Sequence, residues 1–451
     1  MVEIDHEIIT KQTTFDELIN KLRDFKEGSK IDKKWFYIYN YYIKDDKWKY
    51  KLEEAIKALN YKNKPENIEK ENIDKLYGNT LSTTVSRLEQ YRACPFSYYL
   101  KYGLKISEQD NFKVQMVDTG NFMHDVIDTF FNKVRQEQIS IKQIDDEQIE
   151  SIIEQIIEEK LLLSKNYIFI STDKYKVLTK RLKRVVTKSM KYILETLKNS
   201  DFEVLGNEIE FKKGKAYEPI TLQLDNGKKV EITGKIDRVD LAKTDKGDYI
   251  RIIDYKSSVK NIDLNEVVAG LQIQLLTYLD ATCKIEEMMP AGVLYFSLID
   301  PVIKADKFMS DEQIEEEIKK KFKMNGLIVA DVKVVKMMDK KLESGQSNLI
   351  PAYIDKEGNL SKKSSAVTKE QFEDLQKYTG RIIKEISEEI LSGDISLEPY
   401  YNTKTKKTPC EYCDYKMICQ FKSGTCGNNY KYIGKREKQE ILDEIRSLVE
   451  T

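Results

Sequence analysis

Two aspartates and a lysine hold the most chemically suggestive spacing in this sequence. Asp254 and Lys256 stand two residues apart in Ile250-Arg-Ile-Ile-Asp254-Tyr-Lys256, and Asp237 closes the stretch Ile232-Thr-Gly-Lys-Ile-Asp237, followed by Arg-Val-Asp240. Both pieces read as adjacent strands of one hairpin, and residues two apart on a strand share a face. Asp254 and Lys256 therefore point the same way, and Asp237 approaches them if the neighbouring strand is in register. Charged groups gathered at one spot of an otherwise apolar sheet are costly unless they bind something. The set suits phosphodiester hydrolysis. Carboxylate oxygens hold a hard cation such as Mg²⁺ (or Mn²⁺), which polarises the phosphate and activates a water while an ammonium orients that water or neutralises developing charge. An isolated Asp-x-Lys fits a plain surface hairpin as well. The apolar run before Asp254 and the Gly-Lys-Ile-Asp237 partner tip the reading towards catalysis.

Further residues fall in line with these. Gly120-Asn-Phe-Met-His124 puts a histidine on one face of an expected helix, in a chain with only two histidines. Gln274 and Tyr278 lie one turn apart on a helix expected just after the Lys256 strand. Asp240 reads as a structural salt-bridge or hydrogen-bond partner. Lys180, Arg184, Lys188 and Lys191 follow one helical face and offer a basic stripe for phosphate contact, although a solvated surface explains them equally well; the Lys404–Lys407 run is similar. Cys410-Glu-Tyr-Cys413-Asp-Tyr-Lys-Met-Ile-Cys419 supplies three thiols in a compact segment. With the nearby Cys426 this makes a local four-cysteine zinc site the simplest reading. Cys283, within an apolar helix, reads as a packed thiol.

The elements expected to position these groups make an α/β arrangement, with helices flanking a central mixed sheet. Helical periodicity runs through 117–200. Short apolar runs at 204–211, 220–224, 229–241 and 249–255, separated by Gly, Asn and Asp, predict a β-meander. Helix is expected at 264–281, 311–323 and 368–391, a strand at 291–298 and strand-like chain at 327–337. Ser86 and Glu89 have capping-box spacing for a helix start. Three regions follow: an aromatic, helical segment over 1–79, a main domain over 80–430 and a charged C-terminal helix over 431–451.

Composition bounds the function. Lys+Arg 75 against Asp+Glu 76 leaves a net charge of only −1, which does not argue for nucleic acid, so DNA contact would come from local patches. No apolar run approaches the roughly 20 residues of a membrane span, and the N-terminus has no signal-peptide pattern. A cytoplasmic protein is expected, in which six cysteines serve as thiols or metal ligands rather than disulfides. No G-x-x-x-x-G-K-[ST] phosphate loop occurs, so ATP hydrolysis by that device is not expected.

Taken in order, Gly-x-x-x-His124, Glu208, Gly-x-Ile-Asp237-Arg, Ile-Asp254-Tyr-Lys256 and Gln274-x-x-x-Tyr278 resemble the motifs of the PD-(D/E)XK nuclease superfamily, RecB-like branch. The resemblance implies that His124, Asp237 and Asp254 hold the metal, helped by the Tyr255 backbone carbonyl, with Lys256 catalytic and the Gln274/Tyr278 helix lying along DNA. It leaves Glu208 or Glu210 as the further acid. Tyr91-Arg-Ala-Cys94-Pro-Phe resembles the first cysteine motif of the same family. By that likeness Cys94, Cys410, Cys413 and Cys419 bind a [4Fe–4S] cluster that staples the domain.

Over about residues 80–425 the order is similar to the nuclease region of the larger-family AddAB helicase–nucleases, in their B subunits, which are longer proteins with a helicase-like region that this sequence lacks. Residues 1–79 would then be a remnant of, or a linker to, that region. The likeness implies a Mg²⁺-dependent deoxyribonuclease acting on single strands at double-strand breaks, with DNA and a helicase–nuclease A subunit as partners. A non-catalytic DNA-binding scaffold and a Cas4-like nuclease are the alternatives.

Overall fold

The computed structural model describes residues 10–107, 113–245, 247–303, 309–425 and 427–450; His6 and Cys426 lie outside them. Two compact units emerge, Met1–Pro65 with Lys416–Tyr430, and Glu66–Tyr415 with Lys431–Thr451. Residues 66–79 thus fold with the second unit.

In the first unit the helices Lys11–Lys26, Lys33–Lys44 and Asp46–Leu59 start on side-chain caps from Thr10, Asp32 and Asp45. Their apolar faces meet in a small core of Phe15, Leu18, Trp35, Tyr42 and Leu52.

The second unit is built on a mixed sheet, as the sequence patterning predicts. Its strands are β1 (Thr80–Thr84), β2 (Glu203–Phe211), β3 (Ile220–Gln223), β4 (Lys229–Ala242), β5 (Tyr249–Lys256), β6 (Met289–Ser297) and β7 (Asn325–Val329), with a short strand Ala366–Val367 beside β7. The organiser is β4. Its first half pairs in parallel with β1 and antiparallel with β3, while its second half pairs antiparallel with β2 and β5. Parallel pairing of β5 with β6 leaves β5 hydrogen-bonded on both sides and buried from Ile250 to Tyr255, which is why Ile250–Ile253 is a continuous apolar run but for Arg251. The helix Gln274–Glu286 packs on β5 and β6 and is covered by Lys369–Leu391, on which the terminal helix Lys438–Glu450 rests. Helices Met116–Gln136, Asp146–Leu161 and Asp173–Lys198 form a second helical layer.

Three local expectations change. The helix expected over 264–281 is two helices, Leu264–Val268 and Gln274–Glu286. Gly270 between them has φ +76, a left-handed turn that interrupts the helix. The strand-like 327–337 run divides into β7 and a helix Val332–Met338, where the Asp331 carboxylate caps Lys333 N–H at 2.8 Å and overrides the β-branched composition. The helix Val85–Ala93 begins two residues earlier than the Ser86/Glu89 pattern implies. Thr84, which ends β1, is its N-cap and accepts from Arg87 N–H.

The β4–β5 register is held by a buried ionic network. Asp240 is 0% exposed, Arg238 1% and Arg251 0%. Arg238 and Arg251 each donate to Asp240 Oδ2, at 3.1 and 2.9 Å, and Arg238 donates to the Tyr255 hydroxyl at 3.1 Å. Arg251 also stacks on the Phe202 ring at 4.6 Å. Asp240 thus has the structural ion-pair role its sequence position suggested. Removing one partner of a buried pair leaves an uncompensated charge. Asp240→Ala is therefore expected to destabilise the protein by about 3–5 kcal/mol in urea unfolding, measured beside the parent; a loss below about 1 kcal/mol would show that the arginines find other partners.

Candidate metal centre and active site

Register brings the charged residues together. Asn207 pairs with Arg238, Ile209 with Ile236, and Arg238 with Ile253, so Asp237 lies between Glu208 on one side and Asp254 on the other. At this point β4 and β5 stop exchanging backbone bonds. The Tyr255 N–H is taken instead by the Asp237 carboxylate, at 2.8 Å from Oδ2. Strand alternation then sorts the faces: the Tyr255 side chain goes to the buried arginine network, while Asp254 and Lys256 share the opposite face. Lys256 Nζ lies 2.6 Å from Asp254 Oδ2.

His124 reaches the same spot from the helix Met116–Gln136. Its Nε2 donates to the Tyr255 carbonyl at 3.0 Å, and its Nδ1 lies 3.4 Å from Asp237 Oδ2. Among the described residues, His124, Glu208 and Asp237 form a group whose ligand atoms all lie within 4.8 Å of one another. Glu208 gets there by an unusual route. It sits in the middle of β2 at φ +49, a left-handed conformation that a non-glycine residue rarely adopts and that marks local strain. Its carboxylate is ion-paired with Lys235. Glu210 pairs with Lys215 at 3.8 Å and is not in the group; of the two acids that the sequence left open, the geometry selects Glu208.

The electrostatics follow from this crowding. Burial and the neighbouring Asp237 charge push the Asp254 carboxyl up to about 6, against the pull of Lys256 and His124. Burial alone would lower the His124 imidazole. The Asp237 hydrogen bond and the charges of Asp237 and Asp254 outweigh it and hold the ring above its ordinary value. Both ring nitrogens face oxygen acceptors, a setting that the doubly protonated ring satisfies best. Burial likewise disfavours the Lys256 ammonium, yet Asp254, Asp237 and Glu89 hold it charged. The neighbouring acids thus favour the charged forms of both His124 and Lys256.

The structure departs from the expectation for Tyr278. This side chain is 2% exposed, stacked on Phe211 with centroids 5.5 Å apart. Its hydroxyl accepts the backbone N–H of Lys235. It fits here because Gly234 has no side chain; a Cβ there would overlap the hydroxyl. Tyr278 is therefore a clamp on β4 rather than a group that faces DNA. Gln274 is only half-buried, beside Ser86 at 3.5 Å. Sequence reasoning also missed Glu89, which is half-buried and accepts the N–H groups of Ile273 and Gln274 at 2.8 and 3.0 Å.

Half of the basic stripe is offset by acids: Lys191 pairs with Asp146 and Glu150 at 2.9 and 2.8 Å, and Arg184 pairs with Asp300. Lys404 pairs with Asp263 at 3.3 Å. Cys94 is buried at the C-terminal cap of Val85–Ala93, and in the same unit Cys410 lies within the short turn Pro409–Tyr412 and Cys413 caps its end. Cys419 ends a short helix in the other unit. Cys283 is buried, and burial pushes its thiol up to about 12, as befits a packed, unreactive side chain.

A mixed sheet carrying Asp237, Asp254 and Lys256 on one face agrees with comparison to known families. The model of the PD-(D/E)XK nuclease superfamily matches residues 82–420, and the chain belongs to that superfamily. A second model, described as the ATP-dependent helicase/deoxyribonuclease AddB fifth domain, matches residues 6–58. Among individual proteins, the chain is similar to the B subunit of the ATP-dependent helicase/deoxyribonuclease of Caldanaerobacter subterraneus, with 38% identity over 447 residues. It is also similar to the B subunits of the enzymes of that name from Clostridium perfringens (39% over 452 residues) and Clostridium novyi (41% over 439 residues). These alignments cover 97%, 98% and 96% of this chain but only 38%, 39% and 38% of the relatives. The chain spans well under half the length of the curated proteins it matches.

A divalent cation must compete with protons here, because His124 binds metal only when neutral and Asp254 only when ionised. Calorimetric titration of the protein with Mn²⁺ is expected to show affinity that weakens steeply as pH falls through about 6, with proton release on binding. Affinity independent of pH between about 5.5 and 8 would exclude these two groups as ligands.

Proposed function

We propose that this chain is a Mg²⁺-dependent deoxyribonuclease, the nuclease part of an AddAB-type helicase–nuclease that processes double-strand breaks in the cytoplasm beside a helicase–nuclease A subunit. The observation that carries the reading is the convergence of His124, Glu208 and Asp237 on one point, with the Asp254–Lys256 pair on the next strand. The donor set fits a hard divalent cation: carboxylates and one imidazole, with the Tyr255 carbonyl already turned towards His124. His124, Asp237, Asp254, the Tyr255 carbonyl and Glu208 would hold it. Once bound, the cation supplies Lewis-acid polarisation of a phosphate oxygen and a water of lowered pKa.

The remaining work belongs to the protein. Asp237 ties the Tyr255 amide, so the carbonyl of that residue keeps its direction. Lys256, anchored on Asp254 and only partly exposed, presents an ammonium at the rim, where it can orient a water or meet charge developing on the phosphate. Single-stranded DNA and exonucleolytic action are the substrate and mode we propose, by likeness to the AddAB-type nucleases.

With end-labelled single- and double-stranded DNA, Mg²⁺-dependent degradation is expected from the parent. Lys256→Ala is expected to lower kcat roughly a hundredfold or more while Mn²⁺ binding persists. Parent-like cleavage by Lys256→Ala would remove the lysine from the mechanism. A folded parent that binds metal and DNA without cleaving would favour a scaffold.

A [4Fe–4S] cluster on Cys94, Cys410, Cys413 and Cys419 is proposed by likeness to the cysteine motifs of the AddAB-type nucleases, and the four-thiol donor set suits it. Protein purified without oxygen is expected to be brown and to contain iron and acid-labile sulfide in equal amounts, both lost in Cys410→Ser. Zinc without sulfide would replace the cluster by a zinc site.

A further inference from the structure

Glu89 is a half-buried acid that lies outside the proposed metal-binding group. It projects from Val85–Ala93, the helix that carries Cys94 at its C-terminal end. Its Oε1 accepts the N–H groups of Ile273 and Gln274, at 2.8 and 3.0 Å. Those two amides open the helix Gln274–Glu286, which has no side-chain cap of its own: its N-cap residue is Ile273. A carboxylate from a distant part of the sequence thus does what a local Ser or Asp does elsewhere, and it also meets the positive end of the helix dipole. Burial pushes the Glu89 carboxyl up to about 7, against the two amide bonds and the charges of Lys260 and Lys256.

The capped helix leads directly to the site. One turn further on is Tyr278, whose hydroxyl holds Lys235 N–H over Gly234, two residues before Asp237. The same helix packs on β5, which carries Asp254 and Lys256. A second tie keeps the Glu89 helix in place: Arg92 pairs with Glu385 and with Glu389 at 3.1 Å, and its side chain fills the space beside Gly270.

We propose that Glu89 is a positioning residue, which sets the helix Gln274–Glu286 along its axis and, through the Tyr278 hydroxyl, fixes where Asp237 stands relative to Asp254 and Lys256. The inference rests on the nuclease reading of that site. It also makes the helix that presents Cys94 part of the active-site support.

The test uses the full chain in the Mg²⁺-dependent DNA-cleavage assay, with kcat and KM measured separately and Mn²⁺ affinity determined on the same preparations. Glu89→Ala is expected to lower kcat at least tenfold with KM for DNA within threefold of the parent. Glu89→Gln keeps an acceptor oxygen for both amides and is expected to restore kcat to within threefold. Tyr278→Phe removes the hydroxyl, and the double variant Glu89→Ala/Tyr278→Phe is expected to be no worse than the poorer single variant within threefold, because both act along one line.

Parent-like kcat in Glu89→Ala would overturn the proposal, as would multiplicative losses in the double variant. If Glu89→Ala fails to fold, the comparison rests on Glu89→Gln, where a tenfold loss of kcat would equally overturn it. Should the parent itself not cleave DNA, the nuclease reading fails first, which is visible before any variant is made.

Discussion

A sheet can place two aspartates from different strands opposite one another only while its register holds. In this protein the register of β4 against β5 is bound to one fully buried carboxylate, Asp240, shared by Arg238 and Arg251. A one-residue slip between the strands would bring Arg238 or Arg251 to the opposite face and separate Asp237 from Asp254. Such a slip would also strand two guanidinium groups without their counter-ion in a dry interior, so misaligned pairings are penalised far more heavily than an apolar interior would penalise them. The site on one face is thereby secured by the ionic network on the other.

The divergence of β4 and β5 beyond Arg238–Ile253 is the second element of the design. An unpaired amide inside a sheet is costly, and the Asp237 carboxylate satisfies the one at Tyr255 while remaining next to His124 and Glu208. The opening that admits the functional groups is made without leaving the backbone unsatisfied. The crowded acids each have a cationic or hydrogen-bonding neighbour, Lys235 for Glu208, His124 for Asp237 and Lys256 for Asp254, which helps three carboxylates stand so close together.

Much of this was legible in the sequence. Asp237, Asp254 and Lys256 were readable because strand periodicity is two and the turn between the strands is marked by Gly and Asp. His124 was readable from helical spacing together with its rarity. Other features depend on tertiary facts that single-residue patterns do not carry. Glu208 and Glu210 alternate alike in sequence, and only the left-handed backbone at Glu208 decides between them. The Ser86/Glu89 spacing imitates a capping box, whereas Glu89 caps a helix far away in sequence. Tyr278 follows the same helical face as Gln274, and its burial depends on the missing side chain at Gly234. The i, i+4 pattern gave the face, but the neighbour that fills it lies on another strand.

Tyr255 serves both faces of the sheet at once. Its ring and hydroxyl belong to the arginine network, its amide to Asp237 and its carbonyl to His124. Substituting its side chain would therefore disturb a backbone carbonyl that faces His124 and that no substitution can itself replace. The position is constrained as an adapter between the load-carrying interior and the reactive surface. Any repacking of the arginine network would thus reach the contacts of Asp237 and His124 through this one residue.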